Sequence, residues 1–264
     1  MNCVVFLGPS LPTNEARAIL EADYRPPAAA NDVLDAACGQ PDAIVLIDGM
    51  FEHVLSVRHK EILYALSRGI AVYGAASMGA LRAAELDSFG MRGVGRIYDA
   101  YAGGEYEDDD EVAVSHASTE YGFRTVSEAM VNLRWGLELA ESAGILSSAS
   151  RSRLTALAKD CFYRDRSWFG LFALGSANGL PGGELQALRD FVERARPNRK
   201  RDDAVMALER VRGDMLQGLR QPTPGFEFRL TRTLSERWLP AVHARRASRH
   251  PTAPAPGVCD GIDR

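Results

Sequence analysis

The chain has 264 residues, of which 46% are hydrophobic and 25% charged, with a formal net charge of −4; that is enough material to bury a full core and fits an ordinary globular protein. No apolar run approaches the roughly 20 residues needed to cross a bilayer, and the first seven residues lack the basic start and cleavage site of a secretory signal, so a cytoplasmic protein is expected. Cys3, Cys38, Cys161 and Cys259 form no C-x-x-C pair, which argues against a zinc ribbon and a disulfide framework.

In chain order, Cys3 to Leu7, Ala43 to Ile47 and Ile70 to Tyr73 are short runs rich in Val and Ile, without interrupting polar residues. Such runs read as strands covered on both faces. Between them Asn14 to Ala22, Asn31 to Cys38 and Val57 to Arg68 read as helices, with Asn14 and Asn31 as N-caps. This alternation predicts a parallel α/β sheet, Rossmann- or flavodoxin-like, with right-handed crossovers. Further on, Ser127 to Glu141, Ser150 to Cys161 and Glu184 to Arg196 read as helices, the last stopped by Pro197 and Asn198. The expected organisation is an α/β core over residues 1–135, a helical region over 136–247 and a disordered tail over 248–264. From Arg194 to Arg249 there are 14 Lys and Arg against 6 Asp and Glu. This basic region either steers an acidic partner or forms solvated helix faces, and it lacks the interleaved aromatics of a nucleic-acid platform.

In a parallel sheet the loops that follow the strands meet at one edge, where open α/β folds bind ligands. The loops "GPSLPT", "DGMFEHV" and "AASMG" therefore bring Ser10, Asp48 and Ser77 to one crevice. Ser77 lies in an approximation of the G-x-S-x-G turn, which would present a nucleophile beside backbone amides. The same position also suits a plain helix N-cap or an anion site at a helix start. His59 falls on a stripe with Leu55, Ile62, Leu63 and Leu66, as a core histidine or a base near the crevice, and Lys60 lies about 100° round the helix. Arg82 and Glu85 are spaced for an i, i+3 ion pair. Asp108, Asp109, Asp110 and Glu111 do not match a calcium loop and read as a solvated acidic segment, so no metal is expected. His116 is a further base for Ser77 from a later loop. A phosphate-binding protein is disfavoured because neither a G-x-G-x-x-G turn nor a Walker lysine occurs.

The stretch "VRHKEILYALSRGIAVYGAASMGALRAAELDSFGMRGVGRIYDAYAGGEYEDDDEVAVSH", with "GPS" and "IDG" before it, resembles the TfuA-like core domain found beside YcaO proteins in peptide-modification clusters. The resemblance spans roughly residues 1–135 and is carried by the blocks "HKEIL", "GAASMGALRAAEL" and "DDEVA". It implies an accessory protein that mobilises sulfur for a YcaO enzyme making peptide backbone thioamides, by hydrolysing the C-terminal thiocarboxylate of a ThiS-type ubiquitin-fold carrier. Under that implication Ser77 attacks or holds the acyl carbon, amides near Met78 and Gly79 hold the oxyanion, and Ser10 and Asp48 complete the pocket. His59 or Lys60 would move the proton, and Arg82 would anchor the carrier's anionic tail. Gly8, Glu85 and His116 complete the expected substrate contacts. The implied partners are the YcaO enzyme, the carrier and the precursor peptide, without cofactor, nucleic acid or membrane, and a homo-oligomer stays open. The alternative is a non-catalytic adaptor that binds the YcaO enzyme and its peptide.

Overall fold

The computed structural model of the protein describes residues 1–50, 54–115, 125–221 and 225–249. Five strands, β1 (Cys3–Phe6), β2 (Asp23–Arg25), β3 (Ala43–Leu46), β4 (Ala71–Ala75) and β5 (Arg92–Val94), form one all-parallel sheet in the order β2-β1-β3-β4-β5. This is the flavodoxin-like strand order. The three expected strands are its centre, and every residue of β1, β3 and β4 is buried. The two edge strands were not expected. Each is three residues long and only half-buried or exposed, so neither carries an apolar run.

The crossovers decide the layers. Helices α2 (Asp32–Cys38), α3 (His59–Ser67) and α4 (Met78–Leu86) cover one face with Val4, Phe6, Ile44, Leu46 and Val72, whereas α1 (Thr13–Ile19) alone crosses on the other. That second face carries Val5, Val45, Tyr73 and Ala75, and the late helix α10 (Arg199–Leu216) covers it with Ala204, Ala207, Leu208 and Val211. A Tyr73 hydroxyl bond of 2.7 Å to Asp214 fastens it. The preceding helix ends at Ala195, before Pro197 and Asn198 as expected, and Asn198 also starts α10, its side chain accepting from the Arg201 amide.

A short π-helical turn (Leu234–Trp238) leads into α11 (Leu239–Arg249), and Leu234 and Val242 pack on the α2–α3 face. Arg245 and Arg246 tie α11 to Asn31, Asp32 and the Asp35 carbonyl. The helical half thus divides. Helices α6 (Met130–Ser142), α7 (Ser148–Asp160), α8 (Trp168–Ala177) and α9 (Gly182–Ala195) share their own core, while α10 and α11 belong to the sheet's layers. Helix α5 (Arg96–Ala102) follows β5, and its Ile97 amide is held by buried Asp203 of α10 at 2.8 Å. Helix α11 runs through the first two residues of the expected tail, and residues 250–264 lie outside the described residues.

Helix α4 lies directly against the sheet because two glycines remove the intervening atoms. A Cβ at Gly79 would overlap the Leu46 carbonyl, and one at Gly74 would overlap the Gly79 carbonyl. Both obstacles are backbone and cannot rotate away. Gly79→Ala is therefore expected to destabilise the fold by about 3 kcal/mol, read as a lower urea midpoint at unchanged slope.

Candidate functional site

In this strand order the chain leaves β1 and β3 in opposite directions, which opens a crevice at their carboxyl ends. The structure brings Ser10 and Asp48 together there. The Asp48 carboxylate accepts hydrogen bonds from the Gly8 amide at 2.9 Å, the Ser10 amide at 3.1 Å and the Ser10 hydroxyl at 2.7 Å. Both side chains are buried. The Asp48 carbonyl in turn accepts from the Ala28 amide. Asp48 therefore orders the β1 loop and orients the Ser10 hydroxyl. Gly8 serves the same loop, since a Cβ there would strike Pro27.

Ser10 forms one wall of a polar cavity of about 80 Å³, also lined by Glu128, Asn132 and Lys200, with exposed Thr125 at its rim. None of these additions was expected. Lys200 stands in the first turn of α10, and its ammonium donates to the Val112 carbonyl at 3.0 Å. Burial pushes its pKa down, against the opposing pull of Asp48 and Glu128. Glu128 precedes α6. Burial pushes its carboxyl up, countered by bonds from Asn132 and the Ala129 amide and by the charge of Lys200. Asn132 clamps both: its Nδ2 donates to Glu128 at 2.7 Å, and its Oδ1 accepts from the Lys200 amide at 3.1 Å. The stripe Ala204, Ala207, Leu208, Val211 marks α10 as a buried helix, but it fixes neither the direction of that helix nor the place of Lys200.

Ser77 follows β4 on a strained turn. Its amide donates to the Ala75 carbonyl at 2.7 Å across Ala76, whose φ is +64°. This is a γ-turn of the rarer, strained form. Ser77 occupies the N-cap position of α4 without making a side-chain cap bond, and it is buried. It is not among the described residues lining the Ser10 cavity. The amides expected to hold an oxyanion are partly spent: Gly79 donates to the Ile47 carbonyl at 3.2 Å, and Ala80 to Ser77. The Met78 side chain is core, stacked over Gly49.

The remaining expected residues gather elsewhere. Helix α3 starts at His59 itself, so Leu55 is 71% exposed and the anticipated stripe does not reach it. His59 is half exposed and pairs with Glu85 at 2.8 Å, not with a core. Arg82 binds the same Glu85 at 2.6 Å and the Val57 carbonyl at 3.1 Å. Glu85 lies eight residues beyond Ser77, about 12 Å along the helix, so this trio is a surface cluster separate from the turn. Lys60 rests over the Phe228 ring at 4.3 Å. His116 lies outside the described residues.

The acidic segment is solvated only in part: Asp108 and Asp109 are exposed, but Asp110 and Glu111 are not. Glu111 is held by Arg134 through two bonds of 2.9 Å, and Asp110 by Lys159 and by Arg166. Lys159 also reaches Asp108 and Glu111. These pairs join the α5 side of the core to α6 and α7. Burial works to raise the Asp110 pKa, but the hydrogen bonds from Lys159 and Arg166 outweigh it and hold the carboxyl below its usual value. Its stabilisation is therefore full above the unfolded-chain value of about 3.9 and is lost as pH falls through the folded value. Asp110→Asn is expected to be about 2 kcal/mol less stable than the unaltered protein at neutral pH, the gap narrowing in urea titrations as pH falls below the usual carboxylate range.

Among the described residues no helix is long and apolar enough to cross a membrane, and no group of three or more His, Cys, Asp or Glu could hold a metal ion. No curated protein matches the chain. A family model described as TfuA-like protein matches residues 48–167, a segment that begins at Asp48 and takes in the Ser77 turn, the acidic segment and Glu128 with Asn132. Over residues 48–167 the chain is thus similar to the TfuA-like proteins.

Proposed function

We propose that the protein releases sulfide from an acyl-sulfur donor, the C-terminal thiocarboxylate of a ThiS-type carrier, for a YcaO enzyme that forms peptide thioamides. The similarity of residues 48–167 to the TfuA-like family supports a role in thioamide-related biosynthesis with a partner. The observation that carries the finer reading is the buried Ser10–Asp48 pair at the wall of a polar cavity. A hydroxyl 2.7 Å from a carboxylate has its proton acceptor in place. On this geometry Ser10, with Asp48, is favoured over Ser77 as the nucleophile. The cavity's size suits the end of a thin Gly-Gly-type tail rather than a folded substrate.

A thiocarboxylated carrier incubated with the protein alone should lose its sulfur, read by intact mass as a change of about 16 Da for sulfur against oxygen. Ser10→Ala should slow this by on the order of 10³-fold, while Ser77→Ala stays within about tenfold. The opposite ranking would make Ser77 the nucleophile. A thiocarboxylate that survives the unaltered protein would remove the hydrolytic reading.

A second reading, an adaptor that docks the partner, is favoured by a separate feature. At the far end of α10, Arg92, Arg210 and Arg220 line a cleft of about 400 Å³ with Asp214 as its carboxylate. Asp214 is held by Tyr73 and Arg210, and Arg92 spans the Tyr73 hydroxyl and the Arg220 carbonyl. Much of the remaining basic charge is spent inside the chain, on Glu15, Asp32, Asp203 and Glu236. Replacing Arg210 and Arg220 together by Glu should lower reconstituted thioamidation more than tenfold and leave carrier hydrolysis intact, if this cleft docks an acidic partner.

A further inference from the structure

The Ser10–Asp48 pair accounts for attack on an acyl carbon but leaves two needs unmet. A thiocarboxylate sulfur leaves poorly unless it is protonated, and the oxyanion requires a donor. The turn at Ser77 is poorly placed to supply that donor, since the Ser77, Gly79 and Ala80 amides already have acceptors. Beside Ser10 itself stand two groups with no task in the Ser10–Asp48 pair. Glu128 and Lys200 line the same space as Ser10, and Asn132 fixes both through opposite ends of one amide.

We propose that Glu128 is the general acid that protonates the departing sulfur and that Lys200 is the donor that holds the oxyanion. This rests on the hydrolytic reading of the same site. The step balances as follows. The Ser10 hydroxyl gives its proton to Asp48 as the Oγ–C bond forms, and the carbonyl oxygen becomes an oxyanion facing the Lys200 Nζ. Glu128 passes its proton to the thiocarboxylate sulfur, the C–S bond breaks, and hydrosulfide leaves with that bonding pair. Water then attacks the Ser10 ester and gives one proton to the Glu128 carboxylate. The ester C–O bond breaks, and Asp48 returns its proton to Ser10. The sum is thiocarboxylate and water going to carboxylic acid and hydrosulfide. Burial, which raises the Glu128 carboxyl and so favours its protonated form, agrees with this role. So does the position of Lys200, whose Nζ engages the Val112 carbonyl and has further donors to offer.

The test compares two acyl donors made on one carrier: the thiocarboxylate, whose sulfur needs a proton to leave, and an aryl thioester, whose thiolate leaves without one. In the first turnover, before the shared Ser10 ester is hydrolysed, Glu128→Gln should release sulfide from the thiocarboxylate on the order of 10²-fold more slowly and aryl thiolate from the thioester within about tenfold of the unaltered rate. Lys200→Met should lose on the order of 10²-fold on both. The unaltered protein's first-turnover rate on the thiocarboxylate should fall as pH rises through the Glu128 titration, a limb missing in Glu128→Gln; Lys200 is the charged group that acts on Glu128, and the aryl thioester profile separates its contribution. Equal first-turnover losses of Glu128→Gln on both donors, or an unchanged pH limb, would overturn the acid role. Retained activity of Lys200→Met would overturn the oxyanion role. If Lys200→Met does not fold, Lys200→Arg takes its place, and activity on both donors that falls with the shifted position of the charge keeps the assignment, whereas unchanged activity ends it. An unaltered protein that cleaves the aryl thioester and leaves the thiocarboxylate intact would instead overturn the sulfur-release reading and the acid role with it.

Discussion

A parallel sheet whose central strands are apolar on both faces has to be covered on both, and the crossovers of this chain cover them unequally. Three helices fall on one side and one on the other, leaving Tyr73, Ala75 and Val45 without a local neighbour. The chain meets that demand with α10, more than a hundred residues later in sequence. Its apolar stripe seals the open face, and its direction carries its first turn to the carboxyl edge of the strands. The presence of Lys200 at the Ser10 cavity is thus a consequence of core burial, and the arginine-lined cleft at the opposite end of α10 follows from the same placement.

Asp48 holds the crevice in a comparable way. Its carboxylate takes three donors from residues 8–10, and its backbone is pinned by Ala28, so one residue after β3 determines the conformation of the loop after β1. A buried carboxylate with that many donors is well solvated by the protein itself, which is why it can be retained in a dry position. The Ser10 hydroxyl gains its orientation from the same arrangement.

The helical unit α6–α9 has its own core, and it is attached to the sheet layers by an apolar cluster of Ala80, Ile97 and Val112 with Ala129 and Val131 and by ion pairs of Asp108, Asp110 and Glu111 with Lys159, Arg166 and Arg134. Arg166 is almost fully buried, so its partner matters more than an exposed ion pair would. This attachment sets the position of Glu128 and Asn132, which open α6 at the cavity. The acidic run of the sequence therefore joins the two cores through Asp110 and Glu111, while Asp109 stays exposed.

The sequence by itself determined the central strands, their parallel order of crossovers and the edge at which Ser10, Asp48 and Ser77 emerge, because burial on both faces leaves an uninterrupted apolar run and a small-residue turn leaves its own signature. It also determined the Arg82–Glu85 pair, since two residues three apart on a helix must be neighbours. Only the tertiary structure decided which serine faces the cavity, that His59 pairs on the surface instead of reaching the crevice, and that Gly79 spends its amide on Ile47. It alone also brought Glu128, Asn132 and Lys200 to Ser10. These are matters of packing between elements distant in the chain, and a three-residue edge strand or a single buried lysine has no periodicity through which a sequence could announce it.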